Sequence, residues 1–175
     1  MRKKQEPSRP VTVREPSAGD EQGLRAMFRG LSRETIYKRF HMPYARVPES
    51  LAVHLARHTN GRSLVAVAAG GIVGHAMYAP ESRGEAEVAL VVEDGWQSRG
   101  IGKLLLTDLA LRASDQGVEV FTAVALGGNR RVLGLVEAVF DGARYTIRDG
   151  SYDIRMPLKG LRSPAEPEGE SRPAA

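Results

Sequence analysis

Gln97-Ser98-Arg99-Gly100-Ile101-Gly102 stands between an apolar run, Val88 to Val92, and a leucine-rich stretch that opens near Lys103. The run reads as a strand and the stretch as a helix, so the six residues form a strand-to-helix turn carrying two glycines. Such a turn suits a phosphate or pyrophosphate. Glycine lets the backbone approach an anion closely, and the first N–H groups of the helix point at it with the helix dipole behind them. The spacing excludes two common phosphate loops. A dinucleotide fingerprint needs a third glycine where Leu105 stands, and a nucleoside-triphosphatase loop needs glycine at Gln97 and Ser or Thr at Leu104.

Outward from this turn the chain alternates strands and helices. Toward the N-terminus, Val11 to Arg14 is a short strand, and Ser17 with Asp20 has the form of a capping box. Leu24, Met27, Phe28 and Leu31 fall at helical spacing. A second helix carries Ile36, Tyr37 and Phe40 and stops before Pro43. A third opens at Pro48-Glu49-Ser50 and closes at Asn60-Gly61. Ser63 to Ala69 and Ile72 to Tyr78 form a hairpin about Gly70-Gly71, and Glu85 to Val92 is the strand before the glycine turn. Toward the C-terminus come a helix from Ile101 to Ala113, a strand from Val118 to Leu126 and a helix from Asn129 to Phe140. A hairpin of Tyr145–Arg148 and Tyr152–Leu158 about Asp149-Gly150 closes the body. This order predicts an α/β domain over 11–158 with a mixed, mostly antiparallel central sheet and helices on both faces. No internal repeat is visible.

Composition narrows the class of protein. The length of 175 residues fits one domain. No run is long enough to span a bilayer, and the N-terminus shows no apolar signal segment, so no membrane partner is expected. The absence of cysteine excludes disulfides, thiolate metal sites and a cysteine nucleophile, and accords with a cytoplasmic location. The net charge of +4 is concentrated at one end: Arg2, Lys3, Lys4 and Arg9 against Glu6 leave +3 in residues 1–10 and +1 elsewhere. That distribution reads as a basic disordered tail. No basic stripe is interleaved with aromatics, so no specific nucleic-acid partner is expected. A nucleic-acid-associated protein working through that tail is the competing view, and it predicts binding that collapses with salt. Residues 159–175 are rich in Pro, Glu, Ser and Gly and read as a second tail.

The stretch Glu93-Asp94-Gly95-Trp96-Gln97-Ser98-Arg99-Gly100-Ile101-Gly102-Lys103-Leu104-Leu105 is an acidic turn, an aromatic, a Gln-x-x-Gly-x-Gly loop and a leucine-rich helix. It resembles the GNAT acetyltransferase superfamily, and the order of elements from Val11 to Leu158 fits that fold as well. Leu31 to Phe40 is similar to the corresponding helix of the bacterial protein-lysine acetyltransferase branch. The resemblance implies an N-acetyltransferase that moves an acetyl group directly from acetyl-CoA, its cosubstrate, to an amine acceptor, either a protein lysine or a small molecule. A monomer or homodimer is expected. A catalytically weak acyl-CoA-binding sensor or scaffold is the alternative.

The same resemblance implies roles for particular residues. The two central strands of the family part where the thioester lies, which assigns the main chain of Leu90, Val91 and Val92 to the pantetheine arm. The backbone N–H groups of Ser98, Arg99, Gly100, Ile101, Gly102 and Lys103 would cradle the pyrophosphate, with Arg99 and Lys103 adding charge. Lys103 reads equally well as a solvated first-turn lysine. Asn129 matches the family's asparagine near the pantetheine, or else is a plain N-cap.

For the base, strand alternation sets Glu87 on one face with Ala89 and Val91, opposite Ala86, Val88, Leu90 and Val92. A carboxylate among apolar neighbours would lose solvent, which suits it to take a proton from an amine. The protein-lysine branch also carries a glutamate on this strand in a similar Glu-Val-Ala context. An exposed strand carboxylate is the other reading, and the one expected for Glu85. Many family members have a tyrosine in the helix after Asn129. None stands between Val132 and Phe140 here, and no general acid is assigned.

The remaining candidates are weaker. His75 and Tyr78 read as structural strand residues, with the acceptor wall as the other view. His54 and His58 lie one helical turn apart without a third ligand, so no metal is expected. Tyr37, Arg39, Phe40 and His41 occupy the region that caps the acceptor side in this superfamily.

Overall fold

The computed structural model describes residues 10–41, 48–57 and 62–162. The basic segment 1–9, Pro43, His58, Asn60-Gly61 and the stretch 163–175 lie outside the described residues. The strands are β1 (Thr12–Arg14), β2 (Ser63–Ala68), β3 (Gly71–Ser82), β4 (Glu85–Val92), β5 (Val120–Leu126), β6 (Arg144–Arg148) and β7 (Ser151–Pro157). The helices are α1 (Glu21–Gly30), α2 (Arg33–Phe40), α3 (Glu49–Arg57), α4 (Ile101–Asp115) and α5 (Arg130–Val139). Each expected element is present. β3 runs four residues beyond Tyr78, past Pro80, where the β3–β4 register shifts between Pro80 and Ser82.

The seven strands form one sheet in the order β1-β2-β3-β4-β5-β7-β6. Every neighbouring pair is antiparallel except β4 and β5. That parallel pair holds for only three positions, Glu85↔Val120, Ala86↔Phe121 and Glu87↔Thr122. Beyond Glu87 the two strands part, although β4 stays paired to β3 as far as Gly74↔Val92 and β5 to β7 as far as Leu126↔Ser151.

Alternation along the strands divides the core in two. On one face Ala86, Val88 and Val92 of β4 pack with Leu105, Leu106 and Leu109 of α4, Val136 and Val139 of α5, and Phe121, Ile154 and Met156. On the other face Val91 packs with Val65 of β2, Leu24, Met27 and Phe28 of α1, Ile36 of α2 and Leu55 of α3. Each fully buried leucine contributes roughly 1.5–3 kcal/mol relative to an exposed one. At the N-terminal end, Ser17 N–H donates to the Asp20 carboxylate at 2.7 Å and Arg14 clamps the same carboxylate with two bonds of 2.7 Å.

The folded body extends past residue 158, through Arg162. Leu158–Gly160 forms a short 3-10 turn, Leu161 bridges Phe140, and Arg162 N–H donates to the Val139 carbonyl at 2.8 Å. Composition alone misplaced this boundary, because the backbone groups of 160–162 find partners at the end of α5.

Candidate active site

The glycine turn takes its shape from backbone conformation. Ser98 and Gly100 both lie in the left-handed region, at φ 60° and 81°. Residues of alternating hand turn successive N–H groups toward one concavity. The N–H groups of Ser98, Arg99 and Gly100 make no backbone hydrogen bond among the described residues. Those of Ile101, Gly102 and Lys103 open α4, where no intrahelical acceptor exists. Side chains fix the turn from outside. Gln97 Nε2 donates to the Val92 carbonyl at 3.0 Å, and Arg131 donates to Gln97 Oε1 at 2.6 Å. The Arg99 guanidinium lies 5.0 Å above the Trp96 ring, and Lys103 is exposed.

Asp94 ties this turn to α2. Its carboxylate accepts from the backbone N–H of Ser32 at 3.0 Å and from the hydroxyls of Ser32 and Thr35 at 2.8 Å each. Desolvation opposes its charge, yet these donors outweigh burial and hold its carboxyl below the ordinary range. The sequence showed Asp94 only as part of an acidic turn. Its partners are about sixty positions away in the chain, so no local signal marks the tether.

Where β4 and β5 part, a cleft of about 260 Å³ opens. One side is lined by Val88, Leu90, Leu106, Val132, Leu135 and Val136, the other by Lys38, Arg39, Phe40, His41, Glu87 and Ala89. Gly102 abuts it: a Cβ there would stand 3.4 Å from Leu135 and 3.8 Å from Leu90, both cleft residues. The first turn of α4 therefore adjoins the wall of the cleft.

Hydrogen-bond direction decides which strand residues can serve a ligand. Val120 N–H donates to the Gly84 carbonyl on the β5 side, Glu93 N–H donates to Val73 on the β3 side, and main-chain direction alternates between them. The peptide groups of Leu90 and Val92 accordingly point into the gap, and Gln97 already occupies the Val92 carbonyl. Val91 differs from expectation. Its main chain belongs to the β3 ladder and its side chain to the core under α1, so it is removed from the cleft.

Asn129 precedes α5 and makes no side-chain cap to it, being nearly buried against the cleft instead. Glu87 also lines the cleft, but its side chain is exposed. The desolvation expected from strand alternation is absent, because β4 and β5 separate just after this residue and admit solvent. Glu85 forms an exposed ion pair with Arg155 at 2.5 Å, whose hydrogen bond holds its carboxyl below the usual range.

The weaker candidates separate cleanly. Tyr78 turns to the α4 face and donates to Gln116 Oε1 at 2.9 Å, away from the cleft. His75 is fully buried, its Nε2 2.8 Å from the Ser63 hydroxyl and its ring 6.4 Å from that of Phe28. Burial, then the nearby charge of Arg39, pushes its pKa down to about 3. It is a neutral structural residue. His54 is exposed, and no group of three metal-ligating side chains occurs among the described residues. Tyr145 lies on β6 with its hydroxyl buried, pushed up by desolvation and by Glu137, and it does not line the cleft. No helix of the described residues is long and apolar enough to cross a membrane.

The site thus joins a mixed sheet whose central strands part to a glycine turn that opens a helix. Residues 25–140 match the model of the acetyltransferase (GNAT) family. The chain belongs to the GNAT acetyltransferase family. Among solved structures, the GNAT domain of S. lividans PAT superposes with a TM-score of 0.75 at 26% identity, over 84% of this chain and 90% of that one. A GNAT superfamily phosphinothricin acetyltransferase from Sinorhizobium meliloti, in complex with acetyl-CoA, gives a TM-score of 0.67 at 20% identity, over 91% and 94%. Diaminobutyrate acetyltransferase EctA from Paenibacillus lautus, with L-2,4-diaminobutyric acid and coenzyme A, gives 0.65 at 18%, over 86% and 97%. No curated protein matches the chain significantly.

Proposed function

We propose that this chain transfers the acetyl group of acetyl-CoA directly to an amine, on a protein lysine or a small molecule, without an acyl-enzyme. The observation that carries this reading is the parting of β4 and β5 beyond Glu87 and Thr122, which opens a cleft whose wall adjoins the helix start after the glycine turn. Converging N–H groups from Ser98 to Lys103 suit a pyrophosphate, with Arg99 and Lys103 contributing charge. The free peptide groups of Leu90 and the N–H of Val92 suit the amides of a pantetheine arm, and the uncapped Asn129 side chain faces the same gap. Glu87 is the base, placed on the opposite side of the cleft. It removes a proton from the ammonium and passes it to solvent. The amine nitrogen then forms a bond to the thioester carbonyl carbon, the carbon–sulfur bond breaks, the acylated nitrogen gives up its second proton to solvent, and the departing thiolate takes one from solvent. Its exposure leaves Glu87 in direct contact with the solvent that receives the proton.

Titration calorimetry with acetyl-CoA, with coenzyme A and ATP as comparisons, tests the reading. Saturable micromolar binding of acetyl-CoA and coenzyme A is expected. Absence of both overturns it. Turnover is then read by thiol release across an amine panel, and the lack of cysteine leaves no protein background. Binding without turnover of any amine would favour the sensor alternative.

A further inference from the structure

We propose that the acceptor is a small amine that also carries a carboxylate, held by the Arg39 guanidinium while its nitrogen lies at Glu87; this rests on the acetyltransferase reading above. Four ionisable side chains line the cleft: Lys38, Arg39, His41 and Glu87, all on the side away from α4 and α5. Lys38 is neutralised by Glu34 one turn earlier in α2. Arg39 is half-buried and has no ion pair or hydrogen bond with any described residue; it stacks on Phe40 at 4.8 Å. Loss of water lowers its pKa to about 10, while the charge of Glu87 pulls the other way without a hydrogen bond between them. A partly desolvated guanidinium left without an acceptor is costly, and stacking holds its fork in one orientation. Carboxylate is the group whose two oxygens match that fork. His41 adds a second donor position, since its Nε2 is buried and has no partner among the described residues.

The charge pattern gives the acceptor its second group. One cation and one carboxylate face a shared space without touching, which is the complement of a zwitterion. A simple amine would engage Glu87 and leave Arg39 uncompensated, which is unfavourable in a partly desolvated cleft. An amino acid compensates both. Its amine is placed for transfer and its carboxylate fixes the orientation, so the reacting nitrogen is held near the point where the strands part.

The test pairs amino acids with their carboxamides, binding each to the coenzyme A complex by calorimetry and measuring thiol release with acetyl-CoA. The acids are expected to bind and to show kcat/KM at least tenfold above their amides. R39Q should raise KM for the acids about 10- to 100-fold, erase the preference and leave acetyl-CoA binding intact; R39K should keep part of the preference. Circular dichroism checks that both variants fold. Equal use of acids and amides, a preference that survives R39Q, or acetyl-CoA binding with no amino acid bound or acetylated, overturns this proposal alone. Efficient acetylation of lysine peptides regardless of a nearby carboxylate does the same. Failure of acetyl-CoA to bind overturns the acetyltransferase reading and this proposal with it.

Discussion

Arg131 of α5 donates to the side-chain oxygen of Gln97 at 2.6 Å, and the nitrogen of the same amide donates to the Val92 carbonyl at 3.0 Å. One glutamine thus links α5, the glycine turn and the open edge of β4. β4 and α5, which both line the cleft, are held relative to each other through it.

Gln97→Ala removes the donor to a partly buried carbonyl and the acceptor for Arg131. A loss of about 1–2 kcal/mol in stability is expected, measured by urea unfolding. Acetyl-CoA affinity should fall about tenfold, because the turn is no longer held in place. Unchanged stability and affinity would show that the link is idle.

Gly100 sits at φ 81° with open space beside it. Gly100→Glu places a side chain and a negative charge in the concavity and forces a left-handed conformation costing roughly 1–2 kcal/mol. The body should stay folded by circular dichroism while calorimetric binding of acetyl-CoA falls more than 100-fold. Retained affinity would remove the turn as the pyrophosphate site.

Glu87→Gln keeps the shape of an exposed side chain and removes its basicity. A drop in kcat of roughly 10²–10⁴ is expected, the usual range for a general base, with acetyl-CoA affinity unchanged. Full activity across pH would exclude Glu87 from proton transfer.

His75 remains neutral in the folded chain down to a pKa of about 3, against about 6.5 unfolded. Below pH 6.5 the unfolded state takes a proton that the folded state refuses, so stability falls as pH falls, levelling only near pH 3. The slope from this group approaches about 1.4 kcal/mol per pH unit. Urea unfolding between pH 7.5 and 4.5 should show it, and His75→Gln should flatten it. An equal slope in the variant would mean that other groups govern acid sensitivity.

The glycine turn was legible because its requirements are local. Gly100 supplies a positive φ, and the leucine spacing after it marks α4 as a helix with a buried face. The strand β4 was legible to the residue, from Glu85 to Val92, for the same reason. Ser98 gave no such signal, since its left-handed backbone is imposed by the turn on a residue that does not favour it.

What the sequence by itself determined was the alternation of strands and helices, the two core faces and the phosphate-suited turn, all set by side-chain periodicity and backbone preferences within a few residues. Only the tertiary structure decided the site. The β4–β5 pairing ends at Glu87, so that side chain is exposed rather than desolvated. Hydrogen-bond direction commits Val91 to β3 and frees Leu90, and Arg39 meets Glu87 across a gap between elements about fifty residues apart. Pairing partners and the solvent reaching a side chain depend on residues distant in the chain, and no local pattern encodes them.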